Sequence, residues 1–115
     1  MKKVLVTGAH GQLGTELNFL SSLFESHSFV FVGRNDLNIT DGNAVNGFFA
    51  QHTFDVVINC AAYTAVDKAE SEKEIAFAAN ATGAANMAMA CTKHKAKLVH
   101  FSTDYVFDGR ASAPY

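Results

Sequence analysis

The 115-residue sequence predicts an α/β fold, a doubly wound parallel sheet, and three observations point there. Four short apolar runs rich in β-branched residues recur along it, at residues 4–6, 29–32, 56–58 and 98–101. Segments with helical apolar spacing separate these runs. A cluster of glycines stands at the first strand-to-helix junction, on the side of such sheets where ligands bind. Near-continuous apolarity suits strands covered on both faces. Strand–helix alternation then implies right-handed crossovers within one sheet.

The first run, Val4-Leu5-Val6, leads into Thr7-Gly8-Ala9-His10-Gly11-Gln12-Leu13-Gly14, which spaces its glycines as G-x-x-G-x-x-G. Gly8 and Gly11 permit a tight turn and let a pyrophosphate approach bare backbone, and Gly14 lets the next helix pack on the strand. That helix is marked by Leu13, Leu17, Leu20 and Phe24, at steps of 4, 3 and 4. Its N-terminus offers unpaired N–H groups and roughly half a positive charge to phosphates. The fold is therefore expected to be Rossmann-like, with a dinucleotide on this turn.

The second run ends at Gly33-Arg34-Asn35. Enzymes selective for NAD usually carry an acid there to accept bonds from the adenosine ribose. No acid stands at Gly33 or Arg34, and the Arg34 guanidinium suits a 2′-phosphate. NADPH is the expected cofactor, with NADH as the alternative and a solvated arginine as the competing view of Arg34. Asp41 is placed to cap a helix carrying Val45, Phe48 and Phe49. After the third run, a long helix is expected from about Ser71 to Lys93. Ser71-Glu72-Lys73-Glu74 has the form of a capping box, and the body is rich in alanine. The fourth run, Leu98-Val99-His100-Phe101, closes the predicted sheet.

Composition narrows the partners. The chain is 49% hydrophobic and 17% charged, as ordinary globular domains are, with net charge −2. No basic footprint for a nucleic-acid polymer is present. No apolar run approaches the roughly 20 residues that span a bilayer, and the first strand is too short for the core of a signal peptide. Cys60 and Cys91 form no C-x-x-C, so reduced thiols in a cytoplasmic protein are expected. The 5 histidines show no i, i+4 pair, and no metal site is expected.

Two later segments carry a resemblance. The glycine turn resembles that of the extended short-chain dehydrogenase/reductase superfamily. Asn59-Cys60-Ala61-Ala62-Tyr63-Thr64-Ala65-Val66-Asp67-Lys68-Ala69-Glu70 resembles the N-x-A-A-[YH]-T-x-V-D-x-A-E signature of the dTDP-4-dehydrorhamnose reductases. Ser102-Thr103-Asp104-Tyr105-Val106-Phe107-Asp108-Gly109 resembles the S-T-D-Y-V-F-x-G signature of the same family. With the glycine turn, these matches span residues 4 to 109.

The resemblance implies NADPH-dependent reduction of the C4 ketone of dTDP-4-dehydro-L-rhamnose to dTDP-L-rhamnose, a nucleotide sugar used for cell-surface polysaccharide. It implies that Thr103 supplies a catalytic hydroxyl and that Asn80 holds a water in a proton relay, although a structural bond would serve Asn80 nearly as well. Cofactor contacts fall on Gly8, His10, Gly11, Gln12, Leu13, Gly14, Arg34, Asn38, Ile39, Ala61, Ala62, Tyr63 and Thr64. Asn38 departs from the aspartate common at that point, which removes a charged acceptor and keeps a carbonyl. Substrate contacts fall on Thr103, Asp104, Tyr105 and Val66. Asp67 is placed to cap the long helix or to touch ligand. The partner is a dTDP-sugar; a homodimer is left open.

The proton donor of this superfamily comes from Tyr-x-x-x-Lys, and the sequence contains none. Tyr63 leads to Asp67, Tyr105 leads to Gly109, and Tyr115 is the last residue. Residues 1–115 are therefore expected to be an incomplete dinucleotide-binding domain, truncated after its fourth strand, without the sugar-binding domain and without turnover alone. The fourth strand is expected to leave an apolar edge open. Two other functions compete: an epimerase or dehydratase of the same superfamily, and a non-catalytic NADP-binding regulatory relative.

Overall fold

The computed structural model describes residues 1–62, 72–102, 110 and 112–113. Its elements are β1 (Lys2–Thr7), α1 (Gln12–Leu20), a 3-10 turn (Ser21–Leu23), β2 (His27–Val32), α2 (Gly42–Gln51) and β3 (Val56–Asn59). They continue with α3 (Lys73–Phe77), a π turn (Ala78–Thr82), α4 (Gly83–His94) and β4 (Lys97–His100). The strands form one sheet in the order β2-β1-β3-β4, and every pair is parallel. This is the expected Rossmann-like α/β architecture.

The direction in which successive strands are added reverses at β1. The step from β1 to β2 runs one way across the sheet, and the steps to β3 and β4 run the other way. Right-handed crossovers consequently put α1 on one face and α2 and α4 on the opposite face. The main core joins Leu5, Val32 and Val57 to Val45, Phe49, Met87, Ala90 and Cys91, with no residue of α1. Val4 and Val6 alternate with Leu5 along the strand and are buried outside that cluster, on the other face. Phe54 completes the core corner, stacked on Phe48 and edge-on to Phe49.

α2 forms where expected. Asp41 Oδ1 accepts from the N–H groups of Asn43 at 3.0 Å and Ala44 at 3.2 Å. Val45 and Phe49 are buried, with Phe48 packed against them.

α1 is shorter than its leucine spacing predicts. It ends at Leu20, where the Ser21 hydroxyl donates to the Asn18 carbonyl at 2.7 Å and the chain tightens into the 3-10 turn. Serine hydroxyls compete in this way with the helical ladder. Phe24 thus lies beyond the helix, and Leu13, Leu20 and Phe24 are all exposed.

The long alanine-rich segment also differs from expectation. It is broken into α3, a π turn and α4, with α3 beginning at Lys73 among the described residues. Glu72 occupies the cap position with no side-chain cap bond, and Ser71, on which the expected capping box rests, lies outside the described residues. α4 closes at Lys95, which takes the left-handed conformation with φ 58°. Lys93 and His94 place basic side chains in the last turn, where they complement the helix dipole. Among the described residues, no helix is long and apolar enough to cross a membrane.

Candidate functional site

Parallel register brings the carboxyl ends of the strands into one row: Val32, Thr7, Asn59 and His100 are successive partners across the sheet. The Thr7 hydroxyl donates to Asn59 Oδ1 at 2.5 Å, and Asn59 Nδ2 lies 3.2 Å from His100 Nδ1. Thr7 and Asn59 are both buried, so this rung satisfies polar groups that would otherwise be costly there. β4 ends on the same rim as β1, the side of the sheet that carries the glycine turn.

The glycine turn begins directly above Thr7. Gly8 has φ 64°, and a Cβ there would lie 2.5 Å from the carbonyl carbon of Cys60 and 2.7 Å from the Ala61 nitrogen. Two backbones meet at this point with nothing between them. The Gly8 carbonyl accepts from Gly11 N–H at 3.0 Å, and Ala9 N–H donates to Val32 at 3.1 Å, tying the turn to β2. Gly11 is the N-cap of α1 and brings no side chain to its first turn, so N–H groups there remain for an outside acceptor. Gln12 and Leu13 belong to this turn and are exposed. Gly14 works differently from expectation. A Cβ on it would run into the Gly8 carbonyl oxygen and lie 2.9 Å from Ala9 Cα, so it seats the helix on the glycine turn itself.

The second wall follows β2. Gly33 is buried beneath the His10 ring, and a Cβ there would lie 2.5 Å from His10 Cδ2. The Gly33 N–H donates to Asp36 Oδ2 at 2.8 Å, and the Gly33 carbonyl accepts from the N–H groups of Asp36 and Leu37. Arg34 projects from this turn and is exposed. The Asn38 side-chain oxygen accepts from the backbone N–H of Thr40 at 3.1 Å and from its hydroxyl at 2.7 Å. The Ile39 carbonyl accepts from Asn86 Nδ2 at 2.9 Å.

These walls enclose a cavity of about 480 Å³. Of the residues expected at the site, Gly8, His10, Gly11, Arg34, Asn38, Ile39, Ala61 and Ala62 line it together. Gln12, Leu13 and Gly14 stand behind them at the start of α1. Asn80 lies in the π turn beside Ala78 and Ala79, which line the cavity while Asn80 does not. Tyr63, Thr64, Val66, Asp67, Thr103, Asp104 and Tyr105 lie outside the described residues. Burial pushes the half-buried Cys60 thiol above its ordinary range, and Cys91 is raised by the same cause.

Several lining residues escaped sequence reasoning: Thr7, Gly33, Leu37, Thr40, Cys60, Glu74, Ile75, Ala78 and Ala79. The glycine after the second apolar run was a usable signal for Gly33, and the small side chains of the long helix were one for Ala78 and Ala79. Glu74 and Ile75 carried none. Among the described residues, no group of three His, Cys, Asp or Glu side chains could hold a metal ion.

The RmlD substrate binding domain family matches the chain over residues 1–115. A dTDP-4-dehydrorhamnose reductase of Streptomyces griseus is 49% identical over 111 residues, which are 96% of this chain and 36% of that protein. The crystal structure of a dTDP-4-dehydrorhamnose reductase from Clostridium acetobutylicum superposes with a TM-score of 0.92 at 45% identity, covering 98% of this chain and 40% of that one. A Bacillus anthracis dTDP-4-dehydrorhamnose reductase in complex with NADP gives 0.89 at 40% identity, covering 96% and 40%. The chain thus spans 36% to 40% of the length of these relatives.

Proposed function

The chain belongs to the RmlD substrate binding domain family, and from that premise we propose that it is the NADPH-binding part of a dTDP-4-dehydrorhamnose reductase. The cavity carries this reading. It lies at the carboxyl ends of β1, β2 and β3, with bare backbone at Gly8, a helix N-terminus behind it and a guanidinium at its outer end. The residues present fit a dinucleotide: the glycine backbone at Gly8 and Gly11, at the N-terminus of α1, and the Arg34 guanidinium line one cavity.

In this reading Gly8, Gly11 and the N–H groups of Gln12 and Leu13 hold the diphosphate, and Gly14 keeps α1 close enough to present them. Arg34 pairs with the 2′-phosphate. Asp36, whose Oδ2 accepts from the Gly33 N–H, is not among the residues that line the cavity. Asn38 and Ile39 flank the adenine, and with the Asn38 oxygen turned to Thr40, Ile39 provides the contact surface. His10, Ala61 and Ala62 line the cavity, and the family resemblance adds Tyr63 and Thr64 to the cofactor contacts.

When bound, the reduced nicotinamide supplies a hydride for the C4 ketone of dTDP-4-dehydro-L-rhamnose. The ketone oxygen gains negative charge as this happens, and the Thr103 hydroxyl donates a hydrogen bond to it. Asp104, Tyr105 and Val66 border the sugar, and Asn80 orders a water. The required proton has no Tyr-x-x-x-Lys to come from within these 115 residues. In this reading residues 1–115 form a dinucleotide-binding domain in part, and turnover needs a proton donor that they do not contain. The free thiols of Cys60 and Cys91 support a cytoplasmic location.

Titrating the protein with NADPH and NADH tests the cofactor. NADPH is expected to bind more tightly, with Arg34→Ala removing most of the difference; tighter NADH binding overturns the choice. Thr103→Ala in the full-length reductase is expected to lower kcat by about 10²- to 10³-fold. Steady NADPH oxidation with dTDP-4-dehydrorhamnose by residues 1–115 alone would refute the division of labour.

A further inference from the structure

We propose that Asn86 and Gly83, on α4, are positioning residues that set where Ile39 meets the adenine end of the ligand, without touching it themselves. The inference rests on reading the cavity as a dinucleotide site.

The loop after β2 is knitted mostly to itself. The Gly33 carbonyl accepts from Asp36 and Leu37, the Asn38 side chain accepts from Thr40, and the Asn38 carbonyl accepts from Asp41 N–H at 3.1 Å. Such local bonds give the loop a shape and leave its position against the body of the protein to other contacts. α4 makes two of these, both at Ile39.

The first is the bond from Asn86 Nδ2 to the Ile39 carbonyl, 2.9 Å long and spanning 47 residues of sequence. The second is steric. Gly83 is buried, and a Cβ on it would lie 2.7 Å from both Cγ1 and Cδ1 of Ile39. The isoleucine side chain therefore rests directly on helix backbone. Residues three apart share a helix face, so one face of α4 holds Ile39 by its carbonyl and its side chain together. Ile39 is only 6% exposed, yet it lines the cavity.

Helix chemistry supports the same view. Glycine costs about 1 kcal/mol relative to alanine inside a helix, and asparagine is also a poor former. Both stand in a helix otherwise rich in alanine and methionine, at the two positions that face the loop. The π turn just before them alters the helical phase, so Ala78 and Ala79 reach the cavity while Gly83 and Asn86 reach Ile39.

The test uses the intact protein and two probes, adenosine 2′,5′-bisphosphate for the adenine end and reduced nicotinamide mononucleotide for the other, titrated by calorimetry. Asn86→Ala and the isosteric Asn86→Asp both delete the donor, and Asn86→Asp keeps the volume should the alanine variant fold poorly. Each is expected to weaken the bisphosphate by about 5- to 30-fold while leaving the mononucleotide within about twofold. Gly83→Ala is expected to do the same, and adding Ile39→Val to it to restore part of the loss by removing Cδ1. If the parent protein binds the bisphosphate and the variants bind it equally well, the inference fails and the dinucleotide reading stands. If both probes weaken alike, the residues serve general stability and the inference also fails. If the parent protein binds neither probe, the dinucleotide reading is wrong and the inference falls with it.

Discussion

Gly8 combines a left-handed backbone with a neighbour that cannot move aside. Its φ of 64° already disfavours any L side chain, and the atoms a Cβ would meet belong to the main chain of Cys60 and Ala61. Gly8→Ala is therefore expected to lower unfolding free energy by about 2–4 kcal/mol, measured by urea denaturation, and to abolish tight NADPH binding. A loss below about 0.5 kcal/mol would show that the turn relaxes easily. Cys60 next door titrates the other way from a catalytic thiol. Burial raises its pKa, so the neutral thiol persists to higher pH than in a free cysteine. Alkylation of Cys60 by iodoacetamide should be slower than that of free cysteine at pH 8. It should still be climbing with pH where free cysteine has levelled off, and NADPH should slow it further. Gly8 and Gly11 were legible in the sequence because their reasons are local to one turn. Gly33 was legible only as a glycine after the second apolar run, because its constraint is the His10 ring arriving from the distant glycine turn. The Thr7–Asn59 pair was hidden likewise, since only sheet register makes those residues neighbours.

Helix ends divide in the same way between local and distant causes. Asp41 could be read as a cap because its bonds go to the next two or three residues. The leucine spacing of α1 could not report that the Ser21 hydroxyl would turn back on Asn18. An apolar period continues through a 3-10 turn almost as well as through an α-helix, which is why Phe24 looked helical. The π turn left no mark in the alanine pattern, because alanine suits either winding. At the far end of α4, Lys95 holds a left-handed conformation that glycine adopts without penalty, and its N–H and that of Ala96 close the helix on Thr92 and Cys91. Lys95→Gly is expected to stabilise the fold by about 1 kcal/mol in denaturant titration. A destabilised variant would mean that the lysine side chain contributes more than its backbone costs.

Across the whole molecule the two faces of the sheet are unequally covered. α2 and α4 close one face around the main core, whereas among the described residues only α1 lies on the other. Phe19 is 81% exposed and Leu23 73%, and at the end of the sheet formed by β4, Val99 and Phe101 are also open. The expected apolar edge at residues 98–101 is thus present among the described residues. A polypeptide of residues 1–115 should self-associate as its concentration rises, seen by sedimentation velocity, and a monodisperse monomer throughout would count against this. Alternation of strands and helices made the doubly wound class legible. The order β2-β1-β3-β4 was not, because neighbour relations depend on how every crossover packs at once.

The cavity walls come from four stretches of chain distant in sequence: Thr7 to Gly11, Gly33 to Thr40, Cys60 to Ala62 and Glu74 to Ala79. A molecule bridging them acts as a staple, since unfolding any one stretch must first release it. Heat resistance should then report occupancy: at a hundredfold excess over its Kd, a dinucleotide adds about 2.7 kcal/mol. The midpoint of thermal melting should climb steadily with the logarithm of NADPH concentration, and a midpoint indifferent to NADPH would mean that nothing spans the gap.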